Sequence, residues 1–190
     1  MKIFTKHSIV GFILGAVIMF VILLFTLDVY IPSASDNNEN YPPPEFNIEQ
    51  KVDYSWSVQS LAGEKKRVSE YFGDKIVFLN FWATWCGPCV SEMPSIQKLY
   101  DKFGEKIVFA CISNEKLSDI SEFISSKGYT FPVYKIDFAP AQFEIKGIPA
   151  TFIIDDKIIK YKHVGGADWG HDKVVEYLEN LIELKSLKEQ

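Results

Sequence analysis

Two cysteines separated by two residues, Cys86 and Cys89, are the side chains of this sequence best suited to covalent chemistry. Such a pair can close a small disulfide or open to a dithiol. An almost wholly apolar run, residues 76–81, precedes the pair, and residues 90–103 follow it with apolar side chains at helical spacing. The cysteines are therefore expected at a helix start, where unpaired N–H groups and the helix dipole stabilise negative charge. That setting favours a thiolate on Cys86, and a thiolate is the attacking species in disulfide exchange.

The order of the residues in the motif predicts different roles for them. Cys86, at the start of the helix, is expected to be an exposed nucleophile with a pKa below the free value of about 8.5. Cys89, one turn further on, is expected to be shielded and to resolve the mixed disulfide. Gly87 would let a substrate backbone approach closely, and Pro88 would restrain the small ring. Trp85 is expected to shield the motif and to offer contact surface.

A CxxC pair is also compatible with other chemistry. A zinc site needs a second cysteine pair, or histidines at ligand spacing, and the histidines of this chain have no such spacing. Peroxidase chemistry of the peroxiredoxin kind needs Thr or Ser three residues before the cysteine in a proline-led loop, whereas Thr84 is two residues before Cys86. We therefore expect no metal and no cofactor beyond the Cys86–Cys89 disulfide. Cys111, in a predicted buried strand, is expected to be a small apolar core residue.

The N-terminal region has the pattern of a membrane anchor. Residues 9–27 contain no charged side chain, and a helix of that length, at about 1.5 Å per residue, spans roughly the 30 Å hydrocarbon core. Lys2 and Lys6 precede the run and Asp28 follows it, which predicts that residues 1–8 are cytoplasmic and that the rest of the chain is extracytoplasmic. The rival interpretation is a cleaved signal peptide, although the run exceeds the roughly 7–15 residues typical of one.

The remainder of the chain divides into a spacer and a folded domain. Residues 28–47 are rich in polar side chains and proline, which predicts an extended linker. Residues 48–190 are expected to form the domain. The net charge of −5, with no basic run beyond residues 65–67, disfavours nucleic acid as a partner. Three cysteines are too few for a disulfide-stapled scaffold.

Apolar runs and helical spacing alternate along the domain. A β-hairpin is expected first, and its predicted strands begin near residue 54 and residue 66. The predicted buried strands that follow cover residues 76–81, 107–112 and 150–155, and the predicted helices cover residues 90–103, 117–127 and 172–187. This order predicts an α/β domain with a mixed central sheet flanked by helices, to which the N-terminal hairpin is added.

Further residues resemble those of thioredoxins. Residues 85–89, with the sequence WCGPC, match the active-site signature of that family, and Pro94 matches the proline inside its active-site helix. Residues 147–152, with the sequence GIPATF, resemble the family's loop in which a cis-proline packs against the disulfide. The resemblance implies a thioredoxin-like fold and a cis bond between Ile148 and Pro149. It also implies that an extended client segment pairs with the backbone at Ile148.

The apolar N-terminal run, the hairpin and the sequence Glu92-Met93-Pro94 are similar to the TlpA/ResA-type membrane-anchored thioredoxins. That resemblance implies an extracytoplasmic thiol-disulfide oxidoreductase, which is supplied with electrons by a transmembrane reductase and reduces disulfides in client proteins. Apocytochrome c is a client class in that family. Gly-Pro between the cysteines resembles reducing members. The alternatives are an oxidase or isomerase of envelope disulfides, and a non-catalytic client-binding module.

The sequence departs from the thioredoxin pattern at one position. Thioredoxins carry a buried aspartate six residues before the first cysteine, where it serves proton transfer to the resolving thiol. Here that position is Asn80, which cannot titrate. Glu92, three residues after Cys89, is a candidate substitute and thus a candidate catalytic residue. The other interpretation of Glu92 is a solvated residue on the helix surface, and the sequence leaves both open.

Overall fold

The part of the chain that the computed structural model describes, Met19 and residues 49–188, contains one eight-stranded mixed sheet. The strands are β1 (Gln50–Lys51), β2 (Ser57–Ser60), β3 (Lys65–Arg67), β4 (Val77–Phe81), β5 (Val108–Ser113), β6 (Val133–Lys135), β7 (Ala150–Asp155) and β8 (Ile158–Val164). Their order across the sheet is β1-β8-β7-β4-β5-β6-β2-β3. The three neighbours β4, β5 and β6 run parallel, and the other pairs are antiparallel.

The helices are unequally divided between the two faces of the sheet. Three long ones share a core on one face, namely α2 (Gly87–Phe103), α3 (Leu117–Lys127) and α4 (Asp172–Lys188). The opposite face is covered by the short helix α1 (Val68–Phe72), a 3₁₀ turn (Ala141–Phe143) and the segment that precedes β2. Since α2 and α3 are the crossovers of the parallel strands, the right-handed crossover rule puts them on the same face. The predicted thioredoxin-like α/β fold is confirmed.

Strands β4 and β5 position the cysteine motif. Every residue of both strands is buried, as the apolar runs predict for parallel strands covered on both faces. Strand β4 ends at Phe81, and helix α2 begins six residues later, at Gly87. The motif therefore lies at the carboxyl end of a central parallel strand, where open α/β sheets place their ligands.

The N-terminal hairpin is confirmed, although its first strand is shifted. Strands β2 and β3 pair antiparallel, and β2 also pairs with β6. The alternating run that begins at Tyr54 becomes strand only at Ser57, because Tyr54 and Trp56 pack edge-on against Phe72 of α1, with ring centroids 5.2 Å and 5.9 Å away. Packing of these aromatic side chains into the core decides the backbone path here, in preference to alternation.

The predicted membrane anchor (residues 9–27) lies outside the described residues apart from Met19, as do the N-terminal segment (1–8) and the linker (28–47). Among the described helices, none combines the length and apolar character that crossing a bilayer requires. The first strand within the described residues begins at Gln50.

Candidate functional site

The cysteine pair is oxidised and caps a helix. Cys86 and Cys89 form a disulfide, with their Cα atoms 5.2 Å apart. Cys86 is the N-cap residue of α2, and its Sγ accepts a hydrogen bond of 3.2 Å from the backbone N–H of Cys89. Pro88 occupies the first turn, where a missing N–H costs nothing. A Cβ added at Gly87 would meet no atom within 4 Å, so the space beside this residue is open to a substrate.

Cys86 is less exposed than the sequence suggests. Its exposed fraction is 5%, against 1% for Cys89, so both side chains are buried and the expectation of an exposed Cys86 is wrong for the oxidised state. The cause is close packing, because the Sγ of Cys86 lies 3.6 Å from the carbonyl oxygen of Ile148 and the side chain belongs to the core on the α2 face. The start of α2 and the loop at Ile148 are therefore in direct contact at Cys86.

That loop has the predicted geometry. The peptide bond between Ile148 and Pro149 is cis, as the resemblance to thioredoxins implies. The carbonyl of Pro149 accepts a hydrogen bond of 2.8 Å from the N–H of Gly165, which ties the loop to the end of β8. Ile148 and Cys86 are thus brought together from positions 62 residues apart in the chain.

An apolar groove of about 180 Å³ lies beside the motif. It is lined by Phe81, Trp82, Trp85, Ile112, Asn114, Ile136, Ala139, Ile145 and Ile148. Trp85 is 74% exposed, so most of its indole is available as contact surface and little of it is left to shield the disulfide. Phe138, next to the groove residue Ala139, is 88% exposed. Large exposed aromatic side chains next to a pocket are typical of interaction surfaces.

The segment before the nucleophile is fixed by a carboxylate. Glu115, just beyond β5, accepts hydrogen bonds of 2.7 Å from both the N–H and the hydroxyl of Thr84. Ser113 donates a further one of 3.0 Å to Glu115. These bonds join the carboxyl ends of β4 and β5 and hold the residues that lead into Cys86. Sequence reasoning did not identify Glu115.

Glu92 is fully buried, which excludes the interpretation as a solvated helix residue. Its Oε1 accepts a hydrogen bond of 2.9 Å from the side-chain amide of Asn80. Its Oε2 accepts bonds of 3.1 Å from the backbone N–H of Ala167 and 3.0 Å from the indole N–H of Trp169. The carboxyl thus has three donors, none of which carries a charge, and it lies one helical turn after Cys89.

Burial raises the pKa of Glu92 to about 7, because desolvation disfavours its charged form. The three hydrogen bonds, from Trp169, Ala167 and Asn80 in order of effect, act in the opposite direction because they stabilise the carboxylate. The result is a carboxyl whose charge changes near neutral pH, in the range where a general acid or base is most effective.

The structure explains why asparagine replaces the aspartate of thioredoxins at position 80. The amide of Asn80 donates to Glu92 and also, at 2.8 Å, to the hydroxyl of Thr151. An aspartate there would place a second carboxyl within 3 Å of the first, and two such groups cannot both be ionised at low cost. The single titratable carboxyl of this buried region is carried by helix α2 instead of strand β4.

Cys111 occupies the position expected for a core residue. It lies opposite Asn80 in the pairing of β4 with β5 and is buried. Burial, and to a lesser degree the nearby Glu92, raises the pKa of the Cys111 thiol well above its usual value. A buried neutral thiol is a poor nucleophile. Within residues 49–188, no group of three or more His, Cys, Asp or Glu side chains has an arrangement that could hold a metal ion.

The thioredoxin-like fold, the disulfide at a helix N-terminus and the adjoining cis-proline loop define a thiol-disulfide oxidoreductase of the thioredoxin class. The family model described as the AhpC/TSA family matches residues 48–162, and the chain belongs to that family.

Known proteins agree with this class. The thioredoxin-like protein YneN of Bacillus subtilis is 36% identical over 135 residues, which cover 67% of this chain and 78% of that protein. The thiol-disulfide oxidoreductase ResA of Halalkalibacterium halodurans is 36% identical over 141 residues, 70% of this chain and 76% of that one. A crystal structure of a thiol:disulfide interchange protein DsbE from Chlorobium tepidum superposes with a TM-score of 0.61 at 22% identity, over 71% of this chain and 99% of the other. At that identity the last comparison bears on the fold alone.

The sequence did not point to Trp169 or to the contact of Thr151 with Asn80. Trp169 follows the glycines after β8, in the loop that leads to helix α4. A large aromatic residue inside a short Gly- and Asp-containing loop is the signal that could have drawn attention to it, because such a side chain needs a core to enter. Thr151 was identified as part of the GIPATF loop, but its contact with Asn80 depends on strand register.

Proposed function

We propose that this protein reduces disulfides in client proteins on the extracytoplasmic side of a membrane, to which residues 9–27 anchor it. The observation that carries the proposal is the juxtaposition of the Cys86–Cys89 disulfide, the loop at Ile148 and an apolar groove. A client segment that pairs with the backbone at Ile148 would bring its own cysteine next to Cys86. A non-catalytic binding module would need no such disulfide at the centre of its binding surface.

The exchange proceeds in two steps. The Cys86 thiolate attacks one sulfur of the client disulfide, which forms a mixed disulfide and releases the other client sulfur as a thiolate. Cys89 then loses its proton and attacks the Sγ of Cys86, which closes the Cys86–Cys89 disulfide and releases the second client sulfur. Two electrons pass to the client. A transmembrane reductase that supplies a dithiol would return the pair to its reduced form.

The reduction potential of the purified full-length protein tests the direction of electron flow. We expect a value near that of thioredoxin, about −270 mV, and far from that of the oxidant DsbA, about −120 mV. Equilibration with glutathione buffers, followed by quantification of free thiols, gives the number. A value at the oxidising end would favour the oxidase or isomerase alternative.

The proposed topology predicts the outcome of protease treatment. Lys2 and Lys6 lie before the apolar run and Asp28 lies after it, so we expect the cytoplasm to hold residues 1–8 only. Protease added to intact spheroplasts should remove the folded domain, while a cytoplasmic marker protein stays intact. Complete protection of the domain would contradict this topology.

Glu92 is proposed to accept the proton of Cys89 in the second step. The carboxyl lies one turn from Cys89 on α2 and is buried, and its pKa of about 7 means that it is ionised, and able to accept a proton, above neutral pH. Asn80 cannot perform this role because its amide does not titrate. The proton would be returned to solvent after the reduced client leaves.

We predict that Glu92→Gln slows turnover about tenfold at pH 7 and that raising the pH by about one unit restores the rate. The reason is that Cys89 must then lose its proton without an internal base. The pH–rate profile of insulin disulfide reduction measures the effect. Glu122→Gln, the same chemical change on an exposed part of α3, is the matched control and should leave the profile unchanged. A wild-type profile for Glu92→Gln would contradict the proposed proton transfer.

A further inference from the structure

The loop that joins β8 to α4 is docked on helix α2 at the turn that carries Glu92. The backbone N–H of Trp169 donates a hydrogen bond of 3.1 Å to the hydroxyl of Ser95, and Ser95 donates one of 2.7 Å to the carbonyl of Glu92. The backbone N–H of Ala167 donates to the Glu92 carboxyl at 3.1 Å. Both ends of this short loop segment are thus tied to the same turn of α2.

The indole of Trp169 lies inside this junction. The side chain is fully buried, and its Nε1–H donates to Oε2 of Glu92 at 3.0 Å. Its ring makes edge contacts with Phe78, Tyr161 and His163, at centroid distances of 5.2 Å, 6.0 Å and 6.0 Å. An indole N–H can only donate, so it favours the ionised carboxyl over the protonated one.

We propose that Trp169 is a positioning residue for Glu92. The indole N–H of Trp169 holds the Glu92 carboxylate in a fixed orientation and stabilises its ionised form. This role extends the proton transfer proposed for Glu92. Its expected effect on turnover rests on that proton transfer. Trp169 is fully buried, so it cannot contact a client directly. Its effect on the reaction is exerted through the carboxyl alone.

Few other titratable groups lie near enough to Glu92 to influence the ionisation of its carboxyl. The titratable side chains on the surrounding elements are Cys89 on α2, Cys111 on β5, Tyr161 and His163 on β8, and Asp168 in the loop. None of the hydrogen bonds or ion pairs found within the described residues joins Glu92 to a lysine or arginine. Neutral donors are therefore what stabilises the carboxylate, and the indole is the strongest of the three.

Two variants at position 169 separate the effect of the indole N–H from the effect of the ring volume. Trp169→Phe removes the donor together with part of the ring. Replacement of Trp169 by 3-benzothienylalanine removes the donor but keeps the ring volume, and it covers the case in which the phenylalanine variant fails to fold. Trp82→Phe is the matched control for the titration, because Trp82 is also buried and its Nε1–H has no hydrogen-bond partner among the residues that the structure describes.

The measurement is a titration of the Glu92 carboxyl by ¹³C NMR, with [δ-¹³C]glutamate incorporated into the full-length protein and Glu92→Gln used for assignment. We expect both Trp169 variants to raise the pKa of Glu92 by about one unit, a tenfold change in proton affinity, and Trp82→Phe to leave it unchanged. An unchanged pKa in the benzothienylalanine protein would overturn the proposal. If the pKa rises but the pH–rate profile does not follow it, the positioning role is supported and the proton-transfer role of Glu92 is contradicted.

Discussion

Replacing Cys86 with serine is expected to reduce disulfide exchange to the uncatalysed background. A serine hydroxyl is not ionised near neutral pH, and Cys89, with an exposed fraction of 1%, is too well covered to attack a client in its place. Insulin reduction with dithiothreitol as electron source measures the loss directly.

Cys111→Ala is the matched control for this experiment. It removes the third thiol of the chain from a buried strand position and should retain the wild-type rate. Alanine suits a buried apolar site of this size, so the control tests thiol chemistry more than folding. Wild-type activity in Cys86→Ser would contradict the exchange mechanism and favour the non-catalytic binding alternative.

Replacing Cys89 with serine is expected to trap clients, so that covalent adducts of the protein accumulate. Cys86 can still attack a client disulfide, but no thiol one turn into α2 remains to release it. Most of the protein should therefore migrate as mixed disulfides on a non-reducing gel after free thiols are blocked, and the adducts should disappear on reduction.

The adducts of Cys89→Ser also identify the clients. Apocytochromes among the trapped proteins would support the client class that the resemblance to ResA-type proteins suggests, and other cysteine-bearing envelope proteins would indicate a broader reductase. The double variant Cys86→Ser/Cys89→Ser is the control, because it has the same surface but no nucleophile. Adducts that persist in the double variant would show that the trapping is not due to Cys86.

The parts of the fold set by long periodic patterns could be predicted closely. Helix α3 and strand β7 have the predicted bounds, because a continuous apolar run, or a helical stripe that ends at a glycine, leaves few alternatives. Strand β1 was not predicted. Its two residues, Gln50 and Lys51, have no pattern of their own and become a strand only because β8 offers them a free edge.

The chemistry of the site was predictable only where residues adjacent in the chain carry it. The cysteine motif and the Ile148–Pro149 loop have local signatures, so their positions could be expected. The environment of Glu92 has none, because two of its donors, Ala167 and Trp169, are 75 and 77 residues away. From the sequence alone, a glutamate between Ser91 and Met93 cannot be distinguished from a surface residue, because its burial results from tertiary packing.

The two outermost strands of the sheet, β1 and β3, are only two and three residues long. They therefore offer few unpaired backbone N–H and C=O groups with which a strand of another copy could pair. Strand β3 consists of Lys65, Lys66 and Arg67, so edge-to-edge pairing of two domains at this margin would bring positive charges together. Crowding many copies on one surface should therefore not drive them into a continuous intermolecular sheet. The two margins of the sheet are thus expected to disfavour edge-to-edge aggregation, whatever the redox state of the cysteines.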